Sequence, residues 1–86
     1  MSLKAIMKKT KMKTMLKKCG DKNYLTETIK AKVKEWLYEI EEESEEKIIE
    51  ELYKKAEEQS GKLLYEEKYI LYGLIKELKD RAGVKD

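Results

Sequence analysis

Apolar positions along this chain recur at the three- and four-residue spacing of helix faces, and the stripes are separated by isolated glycines. Met12, Met15, Leu16 and Cys19 mark one face of a first helix expected from about Leu3 to Lys18. Leu3, Ile6 and Met7 cluster out of phase with it, so residues 1–10 read as a basic N-terminal arm. Residues 11–83 then form a single helical domain, and 84–86 a short tail. Ile29, Val33, Trp36, Leu37 and Ile40 make a second stripe, and Ile48, Ile49, Leu52, Tyr53 and Ala56 a third. At a hundred degrees per residue the third stripe is rotated from the second by roughly 130°. A straight helix over 26–60 would therefore present no continuous face. The pattern predicts either a kink near 41–47 or a long helix whose halves face different partners. Thr26 or Thr28 can cap its start, and Ser44, followed by Glu45 and Glu46, can restart a helix.

A last helix is expected from about Tyr65 to Ala82, with Glu66 and Glu67 in its first turn and Lys79 and Arg81 in its last. Ile70, Leu71, Leu74, Ile75 and Leu78 form its aliphatic face. Tyr65, Tyr69 and Tyr72 lie nearly opposite, which marks a partner surface, or tyrosines that flank the core with wet hydroxyls. Gly20, Gly61 and Gly83 fall where periodicity ends, each suited to a left-handed cap. A chain of 86 residues makes one small domain with a modest core, for which a second subunit is an expected source of stability.

Charge divides the chain. Residues 1–22 carry eight lysines against Asp21 alone, whereas residues 39–58 carry ten glutamates against three lysines. A basic block seeks phosphate, an anionic membrane or the chain's own acids. In the acidic run, Glu43–Lys47, Glu50–Lys54 and Glu51–Lys55 have the spacing of helical ion pairs. Charged residues make up 44% of the chain, with one Gln and one Asn, a balance found in proteins from very hot environments and also in ordinary solvated helices.

Several chemistries lack their usual groups. No histidine is present to act as general base, and one cysteine cannot supply a paired thiol site. The glycines are too scattered for a phosphate loop. Glu41, Glu42, Glu43, Glu45 and Glu46 form a solvated run with no pocket implied. We therefore expect no enzyme, no metal and no cofactor. No apolar run has the length of a membrane span, and the basic N-terminus lacks the apolar stretch of a secretory signal. Lone Cys19 fits a reducing, cytoplasmic setting, or a protein with no use for disulfides.

The order short helix, long middle helix, short helix resembles the histone fold. Met12-Lys13-Thr14-Met15-Leu16-Lys17-Lys18-Cys19-Gly20-Asp21 is similar to the first helix of archaeal histones. Leu25-Thr26 is similar to the pair that opens the long helix, and Gly61-Lys62-Leu63-Leu64-Tyr65-Glu66-Glu67-Lys68-Tyr69-Ile70-Leu71-Tyr72-Gly73 to the second loop and last helix. The resemblance covers 11–80. It departs from the family in three places. The interval from Leu25 to Gly61 is about five residues too long, or about 140° of helix. Tyr69 stands where an aspartate pairs with the loop arginine, and Leu63 and Leu64 replace the Lys-Thr that touches DNA.

The resemblance implies an all-α, histone-like homodimer of thermophilic, archaeal chromatin type, able to assemble further. Val33, Trp36, Leu37, Ile40, Ile49 and Leu52 would be buried between chains. Lys17, Lys22 and Lys62 carry over as contacts to double-stranded DNA, and Lys8, Lys9, Lys11, Lys13 and Lys18 would add phosphate contacts like a histone tail. Such a protein would be architectural, sequence-independent and nucleoid-associated, since phosphate contacts by lysine carry no base readout. A second expectation is a helical oligomeric adaptor, regulatory or virus-encoded, without a nucleic-acid role. There the basic helix answers the chain's own glutamates, and Tyr65, Tyr69 and Tyr72 meet a protein. A third is attachment of the basic helix to a membrane surface, although no aromatic anchor precedes Tyr24.

Overall fold

The computed structural model describes residues 3–42 and 44–84, the side chains of residues 3, 4, 5 and 8 excepted. It is all-helical, with no strand among the described residues. Four α-helices follow in order: α1 (Leu3–Leu16), α2 (Tyr24–Glu39), α3 (Glu45–Gln59) and α4 (Tyr65–Ala82), with a single 3-10 turn (Ser60–Lys62) between the last two. Residues 3–10, expected as an arm, run in the same helix as 11–16.

The middle segment breaks into two helices at 40–44. Ile40 is extended (φ −75°, ψ 126°) while its N–H still donates to the Trp36 carbonyl at 3.1 Å. Electrostatics favours the break. Glu39, Glu41 and Glu42 would oppose the negative end of α2, whereas Glu45 and Glu46 suit the positive start of α3. Ser44 caps α3, its Oγ accepting from the Lys47 N–H at 3.4 Å. The break also lets the two differently oriented stripes turn to one core. Asn23, not Thr26 or Thr28, caps α2: its Oδ1 accepts from the Thr26 N–H at 2.8 Å. Thr26 is buried and Thr28 donates back to the Tyr24 carbonyl, so neither hydroxyl is placed to cap.

One core joins all four helices. Met12, Leu16 and Cys19 meet Ile29, Val33 and Leu37 of α2, Ile48, Leu52 and Ala56 of α3, and Leu71, Ile75 and Leu78 of α4. Val33, Leu37, Ile40, Ile49 and Leu52, expected between chains, are buried within this single chain, and Trp36 packs partly buried against the same core. A second chain is thus not needed to cover these stripes, because the break returns α3 onto α2. The radius of gyration, 12.2 Å, matches the roughly 12 Å of a self-contained domain of this length. Lys55–Glu39 at 3.1 Å bridges α3 to α2 across the return, and Lys11–Glu45 at 3.6 Å ties α1 to the start of α3. Lys55 therefore reaches α2 and not Glu51, which pairs with Lys54 instead at 3.3 Å. Glu43, expected opposite Lys47, lies outside the described residues.

Glycine geometry matters most at Gly20. Its φ of +70° is left-handed, and an added Cβ would lie 2.9 Å from both Leu74 Cδ2 and Thr26 Cγ2. The Gly20 N–H points to Glu77 Oε1 at 3.4 Å. The same end of α4 sends Arg81 to the Lys18 carbonyl at 3.3 Å. Gly83 also takes the expected left-handed cap, but Gly61 does not; it sits within the 3-10 turn with ordinary φ.

Candidate nucleic-acid interface

Lysines four apart on a helix share a face. In α1 and its C-terminal extension these are Lys9, Lys13 and Lys17; in α2 they are Lys30 and Lys34, with Tyr38 one turn further. The tight turn at Gly20 lays the end of α1 beside α2 and opens a cleft of about 360 Å³ between them. It is lined by Lys13, Leu16, Lys17, Lys30, Ala31 and Lys34, with Glu27 its only acid. Lys30 is 7% exposed. Its ammonium donates to the Lys17 carbonyl at 3.2 Å and lies 3.6 Å from Glu27, so it pins the end of α1 to α2 from beneath. At the other end the Lys13 ammonium sits 3.2 Å from the centroid of the Tyr38 ring. As a hydrogen-bond donor, and then as a charge, Lys13 draws the Tyr38 phenol below its ordinary pKa.

The expected DNA-contacting lysines separate into groups. Lys13 and Lys17 line the cleft. Lys18 and Lys22 are exposed on the α1–α2 connection. Lys11 is exposed but pairs with Glu45. Lys62 lies on the α3–α4 connection and belongs to neither wall. The side chain of Lys8 lies outside the described residues. Lys9 is turned inward, 4% exposed, and its ammonium has no hydrogen-bond partner among the described residues. Burial lowers its pKa, against the opposing pull of Glu41 and with a smaller push from Lys13. A buried Lys9 cannot reach a phosphate in this conformation.

Lys30 and Lys34 were missed by reading the N-terminal block alone. Their signal was the i,i+4 spacing, hidden because α2 also carries Glu27 and Glu35. Of the expected tyrosines, Tyr65 and Tyr69 are 83% and 77% exposed on the outer face of α4. Tyr72 instead leans on α3, its ring stacked on Tyr53 at 6.3 Å between centroids. Cys19 is buried, donates to the Met15 carbonyl, and has its thiol pushed up to about 11, chiefly by burial. A thiol in that state is inert.

No protein-family model, curated protein or solved structure matches the chain. The histone resemblance therefore rests on the residues quoted above. Among the described residues no group of acids, cysteine or histidine is placed to hold a metal, and no helix is long and apolar enough to cross a membrane.

Proposed function

We propose that this protein binds double-stranded DNA without sequence preference, by neutralising phosphate along the α1–α2 cleft. The observation that carries this reading is the convergence of Lys13, Lys17 and Lys34 on one cleft, above Lys30 and opposite a single acid. It also bears on where the basic block is directed. Among the described residues, only Lys11 of the N-terminal lysines forms an ion pair with the acidic α3. Lys17, Lys18 and Lys22 remain available to an outside anion, and Lys13 is engaged only by the neutral Tyr38 and not by an acid. Lysine contributes charge without the fork geometry that reads base edges, so affinity is set by phosphate.

The phosphate reading does not depend on a histone-like pairing of long helices, because both walls of the cleft come from one chain. A dimer would place two such clefts on one particle, which suits an architectural role. An adaptor reading stands second, favoured by the exposure of Leu64, Tyr65 and Tyr69 on or beside α4.

The test is a titration of random-sequence duplex against salt. Three cleft lysines neutralising three phosphates contribute about −2.7 to the slope of log affinity against log salt. Replacing Lys13, Lys17 and Lys34 together with glutamine should remove that part of the slope and leave helicity unchanged. Undiminished affinity in the triple variant, or no binding at low salt, would refute the cleft and favour the adaptor.

A further inference from the structure

The outer face of α4 has features the phosphate reading does not use. Leu71, Leu74, Ile75 and Leu78 fill the core side of this helix. Directly opposite lie Tyr65, Tyr69, Gly73 and Lys76, all exposed. Leu64, at the start of the helix, is 74% exposed as well. So much apolar surface together marks an interaction face. Gly73 is the least expected residue of the group. It sits in the middle of an 18-residue helix, where glycine is unfavourable relative to alanine. Its φ is ordinary, and a Cβ built on it would meet nothing within 4 Å. Nothing within the chain accounts for a glycine there. Close approach by another molecule would.

The charges around this glycine specify the approaching molecule. We infer that a second copy of this chain docks here, α4 against α4 and antiparallel, about a two-fold axis at the level of Leu71. In that register Tyr69 lies over Gly73 of the second copy, where the missing side chain makes room for the ring. Glu66 falls opposite Lys76, and Lys62 opposite Asp80. All four are exposed, and none has an ion-pair partner among the described residues. Tyr65 falls opposite Glu77, a carboxylate that can accept from its hydroxyl. No like charges meet in this register. A parallel pairing would set Glu66 on Glu66 and Lys76 on Lys76. The two-fold repeats every contact, so two Tyr–Gly contacts and four ion pairs form together. Covering four tyrosines and two leucines buries on the order of 1,000 Å², the lower bound for a specific interface. This dimer stands independently of the phosphate reading, since α4 contributes nothing to the α1–α2 cleft.

The experiment is sedimentation of the full chain over a wide concentration range, with circular dichroism on every variant. Wild type should rise from 10.2 kDa towards twice that mass. Lys76→Glu should weaken dimerisation by at least about tenfold, and so should Glu66→Lys. The double variant Glu66→Lys/Lys76→Glu should restore it, because the swapped charges face each other again. A species of 10.2 kDa at every concentration overturns the proposal. A dimer indifferent to both single variants overturns it also, as does a double variant no tighter than the singles. If Tyr69→Lys reduces DNA affinity while the wild type stays monomeric, the face belongs to nucleic acid and the dimer is wrong.

Discussion

Gly20→Ala offers the most direct test of how the basic helix is held. Two costs add. A non-glycine residue in the left-handed region costs about 1–2 kcal/mol. The new Cβ would also lie 2.9 Å from Leu74 Cδ2 and Thr26 Cγ2. Both side chains are 3% exposed and cannot swing into solvent. Overpacking of that kind costs about 1–3 kcal/mol. The sum, about 2–5 kcal/mol, is a large part of the roughly 4–13 kcal/mol expected for a domain of this length. The assay is urea and thermal unfolding followed by far-UV circular dichroism and Trp36 fluorescence, at concentrations where the protein is monomeric. At about 4–8 °C per kcal/mol, the midpoint should fall by at least about 8 °C. Gly73→Ala is the internal control. Its Cβ meets nothing and its φ is ordinary, so helix propensity alone should raise stability by about 0.5–1 kcal/mol. The same substitution thus has opposite signs at two glycines. A Gly20→Ala protein within about 0.5 kcal/mol of wild type, the scatter of ordinary surface changes, would mean that the turn is not packed as described.

Three further outcomes are expected. Lys9→Met should stabilise the protein by about 1–3 kcal/mol in urea unfolding, since it replaces a buried ammonium lacking a hydrogen-bond partner with an apolar side chain of similar length; a loss of stability would mean that Lys9 is usefully paired. The Cys19 thiol, raised from its ordinary 9.0 to about 11, holds its proton more tightly folded than unfolded. Its contribution is therefore fully present below pH 9 and lost as pH rises towards 11, by about 2–3 kcal/mol; Cys19→Ala should flatten stability over that window. Burial would raise the Glu77 carboxyl, but hydrogen bonds from Gly20 and Arg81 and the Arg81 charge outweigh it, so its pKa lies below the ordinary value. Its stabilisation is present above that ordinary value and fades as pH falls through the lowered one. Glu77→Gln should shrink the acid-induced loss, and an unchanged acid limb would discount the contact.

The last helix was fully legible, because one aliphatic face and acids and bases at its proper ends all agree on Tyr65–Ala82. The break at 40–44 was legible as a rotation between stripes, with Ser44 marking the restart. What the periodicity left open was whether each stripe met another chain or its own; only the fold shows α3 returning onto α2. Caps were harder. Asn23 lay one residue before a tyrosine in a stretch without apolar rhythm, so Thr26 and Thr28 looked the better candidates. Lysine positions were hardest, since residue type does not report direction. Lys9 sits one turn before Met12 on the inward side, and Lys30 follows the buried Ile29. Half of the candidate cleft lay in α2, whose mixed charge concealed it.

The clamp between Gly20, Lys18 and the final turns of α4 also bears on biosynthesis. Glu77 and Arg81 reach back 57 and 63 residues to the end of the first helix. Contacts of such separation cannot form until the whole of α4 has cleared the ribosome, so three helices wait for the fourth. During that interval the lysine-rich first helix emerges without its clamp, among ribosomal RNA. Its commitment to the native turn comes last, and a ribosome stalled before Glu77 would display a basic helix held by α2 and α3 but without the clamp from α4.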